Sequence, residues 1–206
     1  MDTAFLISAF VTLFVVIDPI GLTPMFIALT QDTDARHRRL VALRACGIAF
    51  GILTLFAFLG EAVLDFIGIS MPAFRIAGGI LLFLTALDML FERRTKRRED
   101  KADEEDFPDP SVFPLAIPLI AGPGAIASMI LLAGNTGDAL EMAGVLGVMA
   151  AVLLLALMLF LTAGLIERGL GRVGINVVTR LLGMLLAALS VQFVLDGLRN
   201  FGVALS

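Results

Sequence analysis

The chain has 206 residues, of which 59% are hydrophobic and only 17% charged, with a mean hydropathy of +0.98. A soluble domain clothes its core with roughly 25% charged residues, so a water-soluble fold is excluded and an integral membrane protein is expected. The net charge of −4 says little, because the distribution of charge along the chain matters more than its sum, and nothing in it points to nucleic acid.

Six apolar runs follow one another, at about 3–29, 40–66, 72–91, 112–133, 141–166 and 177–203. A bilayer crossing takes roughly 20 residues, and runs this long and continuous read as helices rather than strands. The first run has no basic region before it and exceeds a signal-peptide core, so it is expected to be a true span. At its centre stands Asp18-Pro19-Ile20-Gly21. A carboxylate at mid-bilayer is disfavoured by about 2.5–3.5 kcal/mol, and an internal proline removes a helix hydrogen bond. Such residues are tolerated where they face a cavity or another helix.

In the second run Cys46, the only cysteine, allows no internal disulfide and reads as a small packing residue. Gly47 and Gly51 form a small-xxx-small pair suited to helix packing, and His37 is expected to be exposed. The third run carries Arg75, Thr85 and Asp88. A hydrophilic stretch at 92–111 is basic first (Arg93, Arg94, Lys96, Arg97, Arg98, Lys101) and then acidic, and reads as a solvated linker. The fourth run opens Pro114-Leu-Ala-Ile-Pro118 and continues into Gly122-Pro123-Gly124. The sixth carries Arg180, Ser190, Gln192 and Asp196. Asp88 and Asp196 lie near span ends and are expected at the interface. Pro24, Pro114 and Pro118 are expected to kink their spans.

Basic residues set the orientation. With six spans, thirteen of the Lys and Arg residues fall on one side and two, Arg75 and Arg199, on the other. The basic side is expected to be cytoplasmic and both termini periplasmic.

The two halves resemble each other. Asp18-Pro19 through Met25 can be laid over Gly122-Pro123 through Met129 with a shift of 104 residues, which also brings Asp34 onto Asp138. At a shift of 105, Arg75-Ile-Ala-Gly78 meets Arg180-Leu-Leu-Gly183, and Thr85 meets Ser190. The expected organisation is therefore an all-α membrane protein with a first three-helix repeat at 1–91, a charged cytoplasmic loop at 92–111 and a second repeat at 112–206. An odd number of spans per repeat forces the second to be inverted, an arrangement shared by many secondary transporters.

Proline is favoured at the first position of a helix, with Asp or Gly as the cap before it. Asp18-Pro19 and Gly122-Pro123 thus predict that spans 1 and 4 are broken and that two helix N-termini converge near the bilayer centre. The Asp18 carboxylate can occupy the donors of its own helix end, whereas Gly122-Pro123-Gly124 leaves its end open for an anion. A small zwitterion would suit the pair, with its carboxylate at the Gly122–Gly124 amides and its ammonium near Asp18. The candidate substrate-binding residues are Asp18, Pro19, Gly21, Thr23, Gly122, Pro123, Gly124, Ala125, Ser128 and Gln192. Two readings of Asp18 stand side by side: a helix cap alone, or a cap that also binds substrate or a proton. Arg75 and Arg180 either anchor their spans at the interface or hold gates by pairing with carboxylates such as Glu61 or Asp65.

The motif Phe14-Val-Val-Ile-Asp18-Pro19-Ile-Gly21-Leu-Thr-Pro24-Met-Phe, together with Pro114-Leu-Ala-Ile-Pro118-Leu-Ile-Ala-Gly122-Pro123-Gly124-Ala-Ile, resembles the MarC family of bacterial and archaeal inner-membrane proteins. Arg75-Ile-Ala-Gly78-Gly79 and Arg180-Leu-Leu-Gly183 are similar to its third- and sixth-span patterns. The resemblance spans essentially the whole chain. It implies a six-helix protein of the inner membrane related to the lysine-exporter superfamily. Some family members, the SnatA proteins, are linked to transport of small neutral amino acids such as glycine and alanine.

The expected function is a secondary transporter of such amino acids working by alternating access. A proton or a sodium ion is the candidate coupling ion, and a homo-oligomer is an open possibility. An exporter or channel for another small solute, drug, ion or metal is the alternative, although it would call for more membrane carboxylates or histidines. No phosphate loop, His/Cys metal cluster or Ser/His/Asp arrangement is visible in the sequence, so neither an enzyme nor a resident metal or cofactor is expected.

Overall fold

The computed structural model describes residues 3–30, 33–91 and 109–202, and these are helical almost throughout, with no strand among them. Nearly all of the charged stretch 92–111, including its six basic residues, lies outside the described residues. The elements are α1 (Thr3–Ile17), α2 (Pro19–Leu29), α3 (Ala35–Ile67), α4 (Met71–Leu90), α5 (Ser111–Ile120), α6 (Pro123–Ala133), α7 (Ala139–Leu161) and α8 (Ala163–Asn200).

Five of the described stretches are long and apolar enough to cross a bilayer: α1 with α2, α3, α4, α7, and α8 from Val173 onward. A sixth arises if α5 and α6, which meet at a 57° bend, are counted as one span. The second span begins earlier than its hydropathy predicts, at Ala35, because Asp34 caps it there. The last helix also starts early, at Ala163, and Gly171 turns it with a φ of 62° before the membrane-length part begins.

Local chemistry explains the helix starts. Asp34 accepts from the backbone N–H of His37 at 2.8 Å, and Asp138 accepts from that of Glu141 at the same distance. These two residues, which stand 104 positions apart, cap α3 and α7 in the same way. Ser70 caps α4. Gly68 ends α3 in the left-handed conformation, with φ 83°.

The least regular element is α5. Its turns are wide, with the Leu115 N–H donating to the Pro110 carbonyl and the Ala121 N–H to the Ala116 carbonyl. Phe113 and Ile117 are extended inside it. Each precedes a proline, and a proline ring pushes the residue before it out of the helical region. Pro114 and Pro118 thus do more than kink span 4: they rewind its first half. Asp109 secures the entrance, accepting from the Ser111 hydroxyl at 2.5 Å and the Ser111 N–H at 3.0 Å, while Arg44 of α3 lies 3.5 Å from its other oxygen. The Ser111 hydroxyl bond, helped by Arg44, holds the Asp109 carboxyl below the usual carboxylate range.

Nine of the eleven residues of α6 are buried. This helix is the centre of the bundle, touching α1, α3, α4 and α7. Gly60 of α3 lets Ile130 of α6 approach so closely that any Cβ there would collide with it. The outer faces of α3, α4, α7 and α8 expose Leu, Phe and Val side chains such as Leu55, Phe58, Leu154 and Leu181, as a lipid-facing surface requires. Cys46 is buried in the core and His37 is exposed, both as expected. Gly47 and Gly51 differ from expectation. A Cβ at either would meet nothing within 4 Å, so among the described residues the pair faces away from the other helices.

The most extensive helix pairing is α4 with α8. A Cβ at Gly79 would lie 2.8 Å from the Ser190 carbonyl, one at Gly183 would lie 2.9 Å from the Met89 Cβ, and one at Gly197 would lie 3.1 Å from the Pro72 carbonyl. Early residues of α4 therefore meet late residues of α8, so the two helices run antiparallel with glycine at the points of closest approach. Overfilling such contacts is expected to destabilise by about 1–3 kcal/mol. Gly79→Val and Gly183→Val should each lower the thermal unfolding midpoint in detergent by several degrees, whereas Gly47→Val should leave it almost unchanged.

Candidate functional site

Helices α2 and α6 both open with proline, but the two ends are built differently. In span 1 the break is one residue wide. Asp18 takes the left-handed conformation, φ 54° and ψ 62°, which short polar residues tolerate better than others. Hydrogen bonding continues through it, from the Asp18 N–H to the Phe14 carbonyl at 2.9 Å and from the Leu22 N–H to the Asp18 carbonyl at 3.0 Å. The Asp18 side chain is fully buried and accepts from the Gly21 N–H at 3.1 Å. Gly21 is obligatory, since a Cβ there would fall on the Asp18 carboxylate. Just beyond, the Thr23 hydroxyl donates to the Pro19 carbonyl at 3.1 Å. Span 1 thus fills its own helix end.

Span 4 does not. Gly122 caps α6 with extended backbone and no side-chain hydrogen bond. The N–H groups of Gly124 and Ala125 lie in the first turn, where a helix supplies no acceptor. Gly122 cannot carry a side chain, because a Cβ would strike the Pro118 carbonyl. At this end lies a cavity of about 170 Å³, walled by residues 118–120 and 122–125 and by Val16, Thr85 and Asp88. The volume is well below the roughly 300–1,000 Å³ of drug-sized ligand sites.

The wall opposite α6 comes from α4. Thr85 and Asp88, three residues apart, share one helix face. The Thr85 hydroxyl donates to the Leu81 carbonyl at 3.0 Å, so its lone pairs remain as acceptors. A Cβ built on Gly124 would lie 3.2 Å from Val16, 3.3 Å from Leu82 and 3.9 Å from the Thr85 oxygen. Val16 sits two residues before Asp18, so the two breaks are neighbours across the core.

Of the residues singled out in the sequence, Gly122, Pro123, Gly124 and Ala125 line the cavity. Asp18, Pro19 and Thr23 are buried beside it in span 1 without lining it, and Gly21 is tied to Asp18. Ser128 is buried one turn further along α6, and its hydroxyl has no hydrogen-bond partner. Gln192 lies elsewhere, exposed on α8, where it donates to Asp196 at 2.8 Å. Arg75 donates to the side-chain oxygen of Asn135, just past the end of α6, rather than pairing with Glu61 or Asp65. Its counterpart Arg180 is exposed on α8. Asp88, which hydropathy assigns to the interface, is the carboxylate that the cavity contains. The signal was present in the sequence as Thr85 and Asp88 at a three-residue spacing, with Thr85 in register with Ser190. Among the described residues, no three His, Cys, Asp or Glu side chains cluster to hold a metal ion.

Fold and site together define a multi-pass helical membrane protein with a small polar cavity at a bent span. The chain belongs to the MarC family of integral membrane proteins, whose model matches residues 3–201. It is 39% identical over 200 residues to a UPF0056 membrane protein of Archaeoglobus fulgidus, covering 95% of this chain and 92% of that one. It is 41% identical over 198 residues to UPF0056 membrane protein MJ0972 of Methanocaldococcus jannaschii (94% and 86% covered). UPF0056 membrane protein YvbG of Bacillus subtilis is 35% identical over 205 residues (97% of each). No solved structure matches the chain.

The cap at Asp18 carries a direct consequence. Asp18→Ala removes the acceptor for the Gly21 N–H and places a residue that resists positive φ at the break, and is expected to destabilise by about 1–2 kcal/mol. Asp18→Asn keeps both features and should unfold within about 0.5 kcal/mol of the parent protein. Thermal or denaturant unfolding of the purified variants in detergent measures both.

Proposed function

We propose that the protein is a secondary transporter of small neutral amino acids, of the size of glycine and alanine, across the inner membrane, and that the cavity at the start of α6 is its solute site. The observation that carries this reading is a helix end at a bent membrane segment, capped by glycine alone and opening into a cavity of about 170 Å³. An exposed N-terminal turn attracts a carboxylate through its N–H groups and its dipole. The cavity's size favours a compact solute.

Alternating access by two inverted three-helix repeats is part of the same reading. Three features support it. The corresponding caps Asp34 and Asp138 have the same geometry. The third spans of the two halves pair antiparallel through glycines. The contacts between spans also map onto one another when the halves are exchanged: span 1 with span 5 mirrors span 4 with span 2, and span 1 with span 6 mirrors span 4 with span 3. In this reading spans 1 and 4 act as the broken helices and both termini face the periplasm, which the split of thirteen basic residues on one side against two supports. A proton or sodium gradient drives the cycle, with no resident cofactor and no covalent chemistry.

The test is uptake of labelled glycine and alanine by proteoliposomes holding the purified protein, with and without imposed proton or sodium gradients. Saturable uptake above that of empty liposomes, stimulated by one gradient, is the expected result. Folded protein that moves neither amino acid under any gradient would overturn this function.

A further inference from the structure

Helices α4 and α6 close on each other along a seam that joins the first four helices to the last four. A Cβ on Gly78 of α4 would lie 3.2 Å from Leu131 and 3.7 Å from the Cβ of Ala127 in α6. One on Gly134, the residue that ends α6, would lie 2.7 Å from the Met71 Cε at the start of α4. The two helices therefore run antiparallel, and small residues bring them close. Where α4 begins and α6 has just ended, the Arg75 guanidinium donates to the side-chain oxygen of Asn135, 60 positions away in the sequence. The Arg75 Nε is buried and has no hydrogen-bond partner among the described residues.

An arginine that only anchored its span would extend its whole head group to water and lipid head groups. Arg75 instead turns part of its guanidinium into the protein, where one donor goes unmet. A buried unmet donor disfavours the closed seam, and the bond to Asn135 offsets it. The end of α2 is held in another way. The carbonyl of Thr30, the residue that ends α2, accepts from the Thr33 hydroxyl at 2.9 Å and from the Arg38 guanidinium at 3.1 Å. Both donors come from the same half of the chain as α2, whereas the end of α6 is held from the other half.

Resting on the transport reading above, we propose that Arg75 and Asn135 form a latch on the seam between α4 and α6, and that release of their hydrogen bond lets the protein open toward the face where α4 begins. Neither residue touches the solute in this account. They position α4 against α6, and the strength of their bond sets how often the seam opens. A hydrogen-bonded charged group at a partly exposed site is of modest strength, so its loss should raise the open fraction by about two- to fivefold.

The experiment follows a reporter cysteine, Ala127→Cys in a background with Cys46→Ala. Ala127 is buried on the seam beside Gly78. A membrane-impermeant sulfonated thiol reagent is applied separately to each face of sealed vesicles. The face that carries Asn135 is identified with Gly137→Cys, an exposed position two residues further on. Arg75→Ala and Asn135→Ala should each speed labelling of the reporter from that face by about two- to fivefold, with no increase from the opposite face. Asn135→Asp makes the bond a charge-assisted pair and should slow labelling from the same face. Substitutions on both sides of the bond, with effects of opposite sign at Asn135, keep the test decisive even if Arg75→Ala does not fold. Equal rates in the parent protein and the folded variants, including no labelling in any of them, would overturn the latch. So would a variant that speeds labelling from both faces, which is the mark of a loosened fold. No solute enters this assay. A folded parent protein that moves neither glycine nor alanine overturns the transport reading, while the latch stands or falls on the labelling rates.

Discussion

A backbone N–H group at bilayer depth must find an acceptor, and that constraint organises this molecule. Lipid offers no hydrogen bonds, so an interruption in a spanning helix persists only where protein or a polar cavity receives the freed groups. The chain meets the constraint in two different ways, at the start of α2 and at the start of α6. Asp18 folds its carboxylate onto the Gly21 N–H and lets the helical ladder pass through a single left-handed residue. Gly122 brings no acceptor, and its helix end faces a cavity instead. The two ends thus differ in what their first-turn N–H groups face: a carboxylate of the chain itself at α2, a cavity at α6.

The surroundings of span 4 follow from the same requirement. Pro114 and Pro118 force Phe113 and Ile117 into extended backbone, which rewinds α5 and sets it at 57° to α6. Burial of nine of the eleven α6 residues then fixes that helix against α1, α3, α4 and α7, so its N-terminus is aimed by a packed core rather than by a loop. The tight glycine contacts between α4 and α8 hold α4 in place, which holds Thr85 and Asp88 across from the α6 donors.

Much of this was legible in the sequence. Long apolar runs marked the membrane-length helices, Asp34 and Asp138 announced matching helix starts, and Asp18-Pro19 and Gly122-Pro123 marked the starts of α2 and α6. Tertiary placement was less legible. Asp88 lies near the end of α4, where hydropathy expects an interface, and it also lines the cavity at the start of α6, a neighbour that its place along one helix does not show. Gln192, by contrast, looks central along its span, yet it occupies the outward face of α8 and is satisfied locally by Asp196. A polar residue's depth can be read from one helix, while the face that meets a cavity depends on how its neighbours pack. Gly47 and Gly51 teach the same lesson, since their spacing favours close packing and none of the described helices takes it up.

The central claim is that the cavity between α4 and the start of α6 is where the solute sits. Its most direct test is the reactivity of Thr85→Cys, in a background with Cys46→Ala, toward a charged thiol reagent applied separately to each face of sealed vesicles. The account predicts modification from one face, slowed in proportion to added alanine. Modification at the same rate with and without saturating alanine, or a residue unreachable from both faces, would contradict it.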